Sequence, residues 1–198
     1  MVPEVTAASL APQIQAAFHV QQFLSNAFRG FCFVGGMALF RWSEPRLTRD
    51  VDLTILCPFG DEPETIDWLL GQLDPRLPNA REYAMRYRVL LLKHGGIDVD
   101  VSLGAIDFEH RAVERATPHL YAPGVELTTC SAEDLVVFKA FADRGQDWVD
   151  VESIMKRCGP KLDWSVIDTE LKPLVELKES SEILDRLLRL RKQYQLGP

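Results

Sequence analysis

No stretch of this 198-residue sequence approaches the roughly 20 consecutive apolar residues that a membrane-spanning helix requires, so no membrane partner is expected. The opening MVPEVTAASLAPQIQ lacks a basic start followed by an apolar run, which argues against a secretory leader. Cysteine is sparse and scattered: Cys32, Cys57, Cys130 and Cys158 form no C-x-x-C pair and have no histidine pair nearby, which excludes a zinc site or redox motif of the usual spacing. Reduced, buried thiols and a cytoplasmic location are the expectation. The four histidines, His19, His94, His110 and His119, show neither metal-ligand nor Ser-His-Asp spacing. A basic surplus is also missing. Lys and Arg number 22 against 29 Asp and Glu, a formal charge of -7, which speaks against indiscriminate nucleic-acid binding because that depends on neutralising many phosphates. Two local arginine groups remain, Arg41, Arg46 and Arg49 before the acidic strand described below, and Arg81, Arg86 and Arg88 after it.

What is present is the composition of a folded protein, 46% hydrophobic and 26% charged, long enough to bury a substantial core. From Pro12 to Phe28 the apolar residues recur at helical spacing, with Gly30 as a stop. FCFV (31–34) reads as a short buried strand running into Gly35-Gly36, after which MALFRW reads as a helix. In DVDLTIL (50–56) the side chains alternate, Val51, Leu53 and Ile55 to one face, Asp50, Asp52 and Thr54 to the other. A helix is predicted over 64–72, then a loop through Pro75 and Pro78. Two strands follow, Tyr83–Leu92 and Ile97–Leu103, joined by a turn at His94-Gly95-Gly96. The second repeats the acidic alternation, with Asp98, Asp100 and Ser102 on one face. A short helix is expected over 109–116, and beyond Pro123-Gly124 the chain reads as helical to its end: a segment opened by Ser131-x-x-Asp134, then 147–157, and roughly 163–176 and 180–193, these last two separated near Pro173 to Ser180. Asp143, Asp147 and Asp150 fall near helical spacing; Asp147 apart, they read as a solvated face. Trp42, Trp68, Trp148 and Trp164 read as packing residues.

Alternate aspartates on one strand face offer the hard oxygen ligands that Mg²⁺ prefers, and two such ions can activate an attacking hydroxyl and stabilise a leaving pyrophosphate. Asp50 and Asp52 have this spacing, and Asp98 or Asp100 can supply a third carboxylate. Gly35-Gly36 lets a backbone approach a phosphate closely at the start of the following helix. Lys139 is the only charge between Leu135 and Ala142, so it must snorkel, pair, or point into a polar cleft.

Together these residues carry a resemblance. FVGGMALFRWSEPRLTRDVDL resembles the signature of the DNA polymerase β nucleotidyltransferase superfamily, and its R-x-T-x-D-x-D form, Arg46, Thr48, Asp50 and Asp52, is similar to the AbiEii-type toxin branch and related bacterial nucleotidyltransferases. SAEDLVVFKAFADRGQDWVDV resembles the branch's later motif, with Lys139 and Asp147 at the matching positions. Arg144-Gly145-Gln146 replaces the usual Arg-x-Arg before the aspartate. The resemblance implies an α+β fold, a nucleotidyltransferase-like mixed β-sheet flanked by helices with a C-terminal helical region. Residues 1–125 would be the catalytic core and 126–198 a helical region completing the nucleotide cleft. It implies two Mg²⁺ ions on Asp50, Asp52 and Asp100, nucleotide contacts from Gly35, Gly36, Arg46, Thr48, Lys139 and Asp147, and a nucleoside triphosphate as substrate. The implied acceptor is an RNA or tRNA 3′ end in a toxin–antitoxin or phage-defence setting, with a cognate antitoxin as partner. Two other readings stay open: a protein- or small-molecule (aminoglycoside-like) adenylyltransferase, and a degenerate module that binds nucleotide without turnover.

Overall fold

The computed structural model describes residues 11–27, 30–44 and 48–194, and the chain divides into two units, residues 1–37 with 47–130 and residues 38–46 with 131–198. The first is built on seven strands: β1 (Phe31–Phe33), β2 (Asp50–Leu56), β3 (Asp74–Pro75), β4 (Val89–His94), β5 (Ile97–Gly104), β6 (Thr117–Ala122) and β7 (Val125–Thr129). They form one mixed sheet in the order β3-β4-β5-β2-β1-β7-β6. β2 lies at its centre, antiparallel to β1 and parallel to β5.

The alternation seen in the sequence decides which way β2 faces. Val51, Leu53 and Ile55 are fully or almost fully buried, as are Val99 and Val101 of β5 and Leu90 and Leu92 of β4. Burial of each such side chain contributes roughly 1.5–3 kcal/mol, so the central strands cannot turn over without losing most of that sum. Helix α1 (Pro12–Asn26) covers this apolar face through Ala16, Ala17, Val20 and Leu24. Helix α2 (Gly35–Trp42) starts in the first unit and passes into the second at Ala38. The core also takes in Ile66 and Leu69 of α3 (Glu62–Leu70) and Ala80 and Ala84 of α4 (Ala80–Tyr87). The aspartates are left with the opposite face. Helix α5 (Asp107–Arg115) follows β5, its entrance closed by Glu109, whose Oε2 accepts from the N–H groups of Ala105 and Ile106 at 2.8 and 3.1 Å.

In the second unit, helices α6 (Ala132–Ala142), α7 (Gly145–Cys158), α8 (Trp164–Lys178) and α9 (Glu182–Gln193) bury Leu135, Val137, Trp148, Ile154, Ile167, Leu171, Ile183 and Leu187, and α6 packs on α7 and α8. Ser131 caps α6, its hydroxyl oxygen accepting from the Asp134 N–H at 3.0 Å.

Three sequence expectations are corrected. Tyr83–Tyr87 belongs to helix α4, not to a strand, and the strand starts only at Val89 after Arg88 turns left-handed at φ 56°. Residues 117–129 form the β6–β7 hairpin instead of leading straight into helix, with Pro123-Gly124 as its turn and Gly124 at φ 76°. Pro173 lies inside α8, which runs on to Lys178. Cys32, Cys57 and Cys130 are buried free thiols, and Cys158 is a half-buried one. No helix among the described residues is long and apolar enough to cross a membrane.

Candidate functional site

The parallel register of β2 and β5 pairs Asp50 with Asp98 and Asp52 with Asp100. Directly opposed residues share a face, so four carboxylates stand on adjacent strands of one sheet surface, all partly exposed. The two halves of this array lie far apart in sequence and meet through pairing alone.

The glycine turn explains how the site is closed against α2. Gly35 adopts φ +49°, and a Cβ built on it would lie 1.9 Å from Asp52 Oδ2 and 2.6 Å from its Cγ. Only a residue without a side chain lets the Asp52 carboxylate sit there. At Gly36 a Cβ would meet Thr48 Oγ1 at 2.2 Å. Thr48 in turn sits against Asp50: its hydroxyl lies 3.0 Å from Asp50 Oδ1 and 3.1 Å from the Asp50 carbonyl oxygen, donating to them. Gly35, Gly36, Thr48, Asp50 and Asp52 therefore form one continuous set of contacts.

On the β5 side the carboxylates are held by a residue that the sequence reading passed over. Arg76, just beyond β3, donates from Nη1 to Asp98 Oδ2 at 2.6 Å and from Nη2 to Asp100 Oδ1 at 2.5 Å. Burial pushes the Asp100 carboxyl above the usual carboxylate range; Arg76 opposes this, while Asp50 and Asp98 add to it. Lys93, opposite Asp98 on β4, brings its Nζ within 3.8 Å of that carboxylate. Among the described residues, no three Asp, Glu, His or Cys side chains are gathered as a ready metal cluster.

In the second unit, Lys139 is buried and paired. Its Nζ lies 3.0 Å from Asp147 Oδ1 and 2.9 Å from Asp150 Oδ2. Burial alone would raise the Asp147 carboxyl, but the hydrogen bonds from Arg144, at 2.6 Å from Nε, and from Lys139 more than offset it and hold the group below its ordinary value. Arg144 thus meets Asp147 from the exposed side. Asp150 is 2% exposed, which corrects the reading of it as part of a solvated face: it is the second counter-ion of Lys139.

Thus Asp50, Asp52, Asp100, Gly35, Gly36 and Thr48 come together in the first unit, Lys139 and Asp147 meet in the second, and Arg46 lies outside the described residues. Of the later arginine group, Arg81 pairs with Asp67 at 2.7 Å and Arg88 with Glu62, so both are tied into the scaffold. The guanidinium of Arg41 covers the ring of Trp42 at 4.1 Å.

A family model described as nucleotidyl transferase AbiEii toxin of a type IV toxin–antitoxin system matches residues 21–173. The solution structure of the antibiotic-resistance factor ANT(2'')-Ia is similar with a TM-score of 0.56 at 14% sequence identity, over 86% of this chain and 95% of that one. The crystal structure of ANT(2'')-Ia in complex with adenylyl-2''-tobramycin is similar with a TM-score of 0.50 at 13% identity, over 93% of this chain and 99% of that one. At such identities the likeness is one of fold. Among curated proteins none matches the chain.

Proposed function

Since the chain belongs to the AbiEii nucleotidyl transferase toxin family and is a nucleotidyltransferase, we propose that it moves a nucleotidyl group from a nucleoside triphosphate to an acceptor hydroxyl, with release of pyrophosphate, on the Asp50/Asp52 face of the sheet. One observation carries this reading: the register that sets Asp50 and Asp52 beside Asp98 and Asp100, with Asp52 lodged where a Cβ on Gly35 would lie. Four acids on one face have no function as packing, and their mutual repulsion is relieved by a cation.

The donor set fits a hard divalent ion. It consists of carboxylate oxygens alone, and the side-chain-free Gly35 leaves Asp52 room beside the turn. Asp50 and Asp52 would hold such an ion, with Asp100 as the further carboxylate. Bound there, Mg²⁺ would neutralise charge on the phosphates and lower the pKa of an attacking hydroxyl. The protein's own parts have separate tasks. Thr48 orients Asp50 by hydrogen bond. Gly35 and Gly36, at the first turn of α2, offer backbone N–H groups to phosphate oxygens. Lys139 is assigned to the triphosphate on the motif resemblance alone, and Asp147 and Asp150 fix the position of its ammonium group.

The acceptor we propose is an RNA 3′ end, with tRNA as the first candidate, as the motif resemblance implies, and an antitoxin protein as regulator, because the matched family is that of a toxin–antitoxin toxin. A second reading, transfer to a small cationic molecule or a protein hydroxyl, is favoured by the formal charge of -7, which suits such acceptors better than a long polyanion. Incubation with labelled nucleoside triphosphates, Mg²⁺ and total tRNA, protein extract or aminoglycosides separates them. The expected result is Mg²⁺-dependent label on RNA, reduced at least about 100-fold by Asp52→Ala. Label that appears on no acceptor, or that survives Asp52→Ala, sinks the proposal.

A further inference from the structure

The acidic face has cross-strand rows that run the width of four strands. One aligns Asp74, Lys93, Asp98 and Asp50, and the next aligns Leu91, Asp100 and Asp52, with the Arg76 N–H bonded to the Leu91 carbonyl at 3.0 Å at its outer end. Arg76 starts two strands away from β5, about 10 Å by the usual strand spacing, and crosses Leu91 to reach Asp98 and Asp100. Its fork takes one oxygen from each carboxylate. Its third nitrogen is left out: the Nε–H is buried with no hydrogen-bond partner. An orphaned buried donor subtracts from the net gain of the clamp, so this ion pair is held less firmly than two short bonds suggest.

We propose that Arg76 is a positioning residue for the transfer reaction, a built-in counter-cation that keeps Asp100 engaged and must release it before a divalent ion can share that carboxylate with Asp50 and Asp52. The inference rests on the reading of those aspartates as ion ligands, and it stands equally if Asp98 is the third ligand, since the same guanidinium holds both. It explains why four acids lie on one face while, among the described residues, no three are gathered into a metal site: one half of the array already has its cation. An arginine serves this purpose better than a lysine because its planar fork spans two carboxylates at once.

The test is calorimetric titration of Mn²⁺ into the full chain without nucleotide. Removing a competitor tightens binding, whereas removing a merely structural residue weakens it. Arg76→Gln should bind Mn²⁺ on the order of tenfold more tightly than the wild type. Arg76→Lys, which keeps the charge but loses the fork, should fall between. Asp52→Asn should lose the binding. If folded Arg76→Gln binds no more tightly than wild type while Asp52→Asn abolishes binding, the assignment of Arg76 alone falls; if Asp52→Asn binds like wild type, the ion-ligand reading beneath it falls. Should Arg76→Gln not fold, wild-type protein with ¹⁵N-labelled arginine decides the matter. Saturation with Mg²⁺ should free the restricted rotation of the Arg76 guanidinium, and rotation that stays restricted overturns the proposal.

Discussion

Gly35→Ala probes the site at its tightest point. Its strain has two parts that a matched control separates. The φ of +49° is unfavourable for any residue with a Cβ, by roughly 1–2 kcal/mol, which for a chain of this size lowers Tm by about 2–8 °C. Gly95 supplies the control: it has φ +57° in the β4–β5 turn, and nothing lies within 4 Å of its built Cβ. Gly95→Ala should therefore show the backbone part alone. Gly35→Ala adds a Cβ 1.9 Å from Asp52 Oδ2 and 2.8 Å from Asp52 Cβ, contacts that cannot persist. Either the carboxylate swings away or α2 shifts, for a further 1–3 kcal/mol or so. A displacement of about 1 Å at a reacting centre lowers turnover on the order of 100-fold. Thermal denaturation of both variants, with nucleotidyl transfer measured below the lower Tm, gives the comparison. If Gly35→Ala melts with Gly95→Ala and keeps its activity, the argument that the turn is shaped around Asp52 is wrong.

Lys139→Met leaves Asp147 and Asp150 buried without their shared cation and should lower the unfolding free energy by about 3 kcal/mol, read as a fall in the urea midpoint. The Asp147 carboxyl has a depressed folded pKa, so its contribution is present above the ordinary value of 3.8 and is lost as pH falls through the folded one. The stability gap between wild type and Asp147→Asn should accordingly narrow in acid, and a gap constant from pH 6 to pH 2.5 contradicts the pairing. Burial and the neighbouring His19 ring, 5.4 Å away, lower the His94 pKa below 6.5. The unfolded chain then binds the proton more readily, so stability drops as pH falls below 6.5, and His94→Gln should flatten that slope between pH 7.5 and 5.5 in denaturant titrations.

How much of this was legible in the sequence differs from residue to residue, for physical reasons. The alternation in DVDLTIL and IDVDVSL declared both acidic faces, because a strand's two-residue period is local information. Their juxtaposition was not local: Asp50 meets Asp98 only through parallel pairing across the whole segment 57–96. Arg76 stood in what read as a proline-bounded loop, and nothing near it in sequence points to β5. In REYAMRY, Tyr83, Met85 and Tyr87 alternate as a strand would, and the helix they form ends at Arg88 in a left-handed turn without the glycine that usually marks one. For VELTT the buried alternation Val125, Leu127, Thr129 was present, but the helical residues that follow it dominated the reading. Asp150 looked like surface because its partner, Lys139, sits on another helix.

The pairing of β2 with β5 makes the site digital. Strand alignment changes only in whole residues, and a slip of one would drive Asp98 and Asp100 into the apolar core, an outcome the chain cannot populate. A slip of two keeps every acid on its own face but sets Asp50 against Asp100 and Asp52 against Ser102, so the array loses one rung outright instead of loosening by degrees. Only the short exposed turn between β2 and α3 can accordingly vary in length with little effect on the acidic face, since alignment is read from the buried valines and leucines and the rest of the connection is itself built into the core. Lineages that lengthen or shorten residues 58–61 should keep the same four-acid spacing, and those that disturb Val99 or Val101 should lose it in a single step.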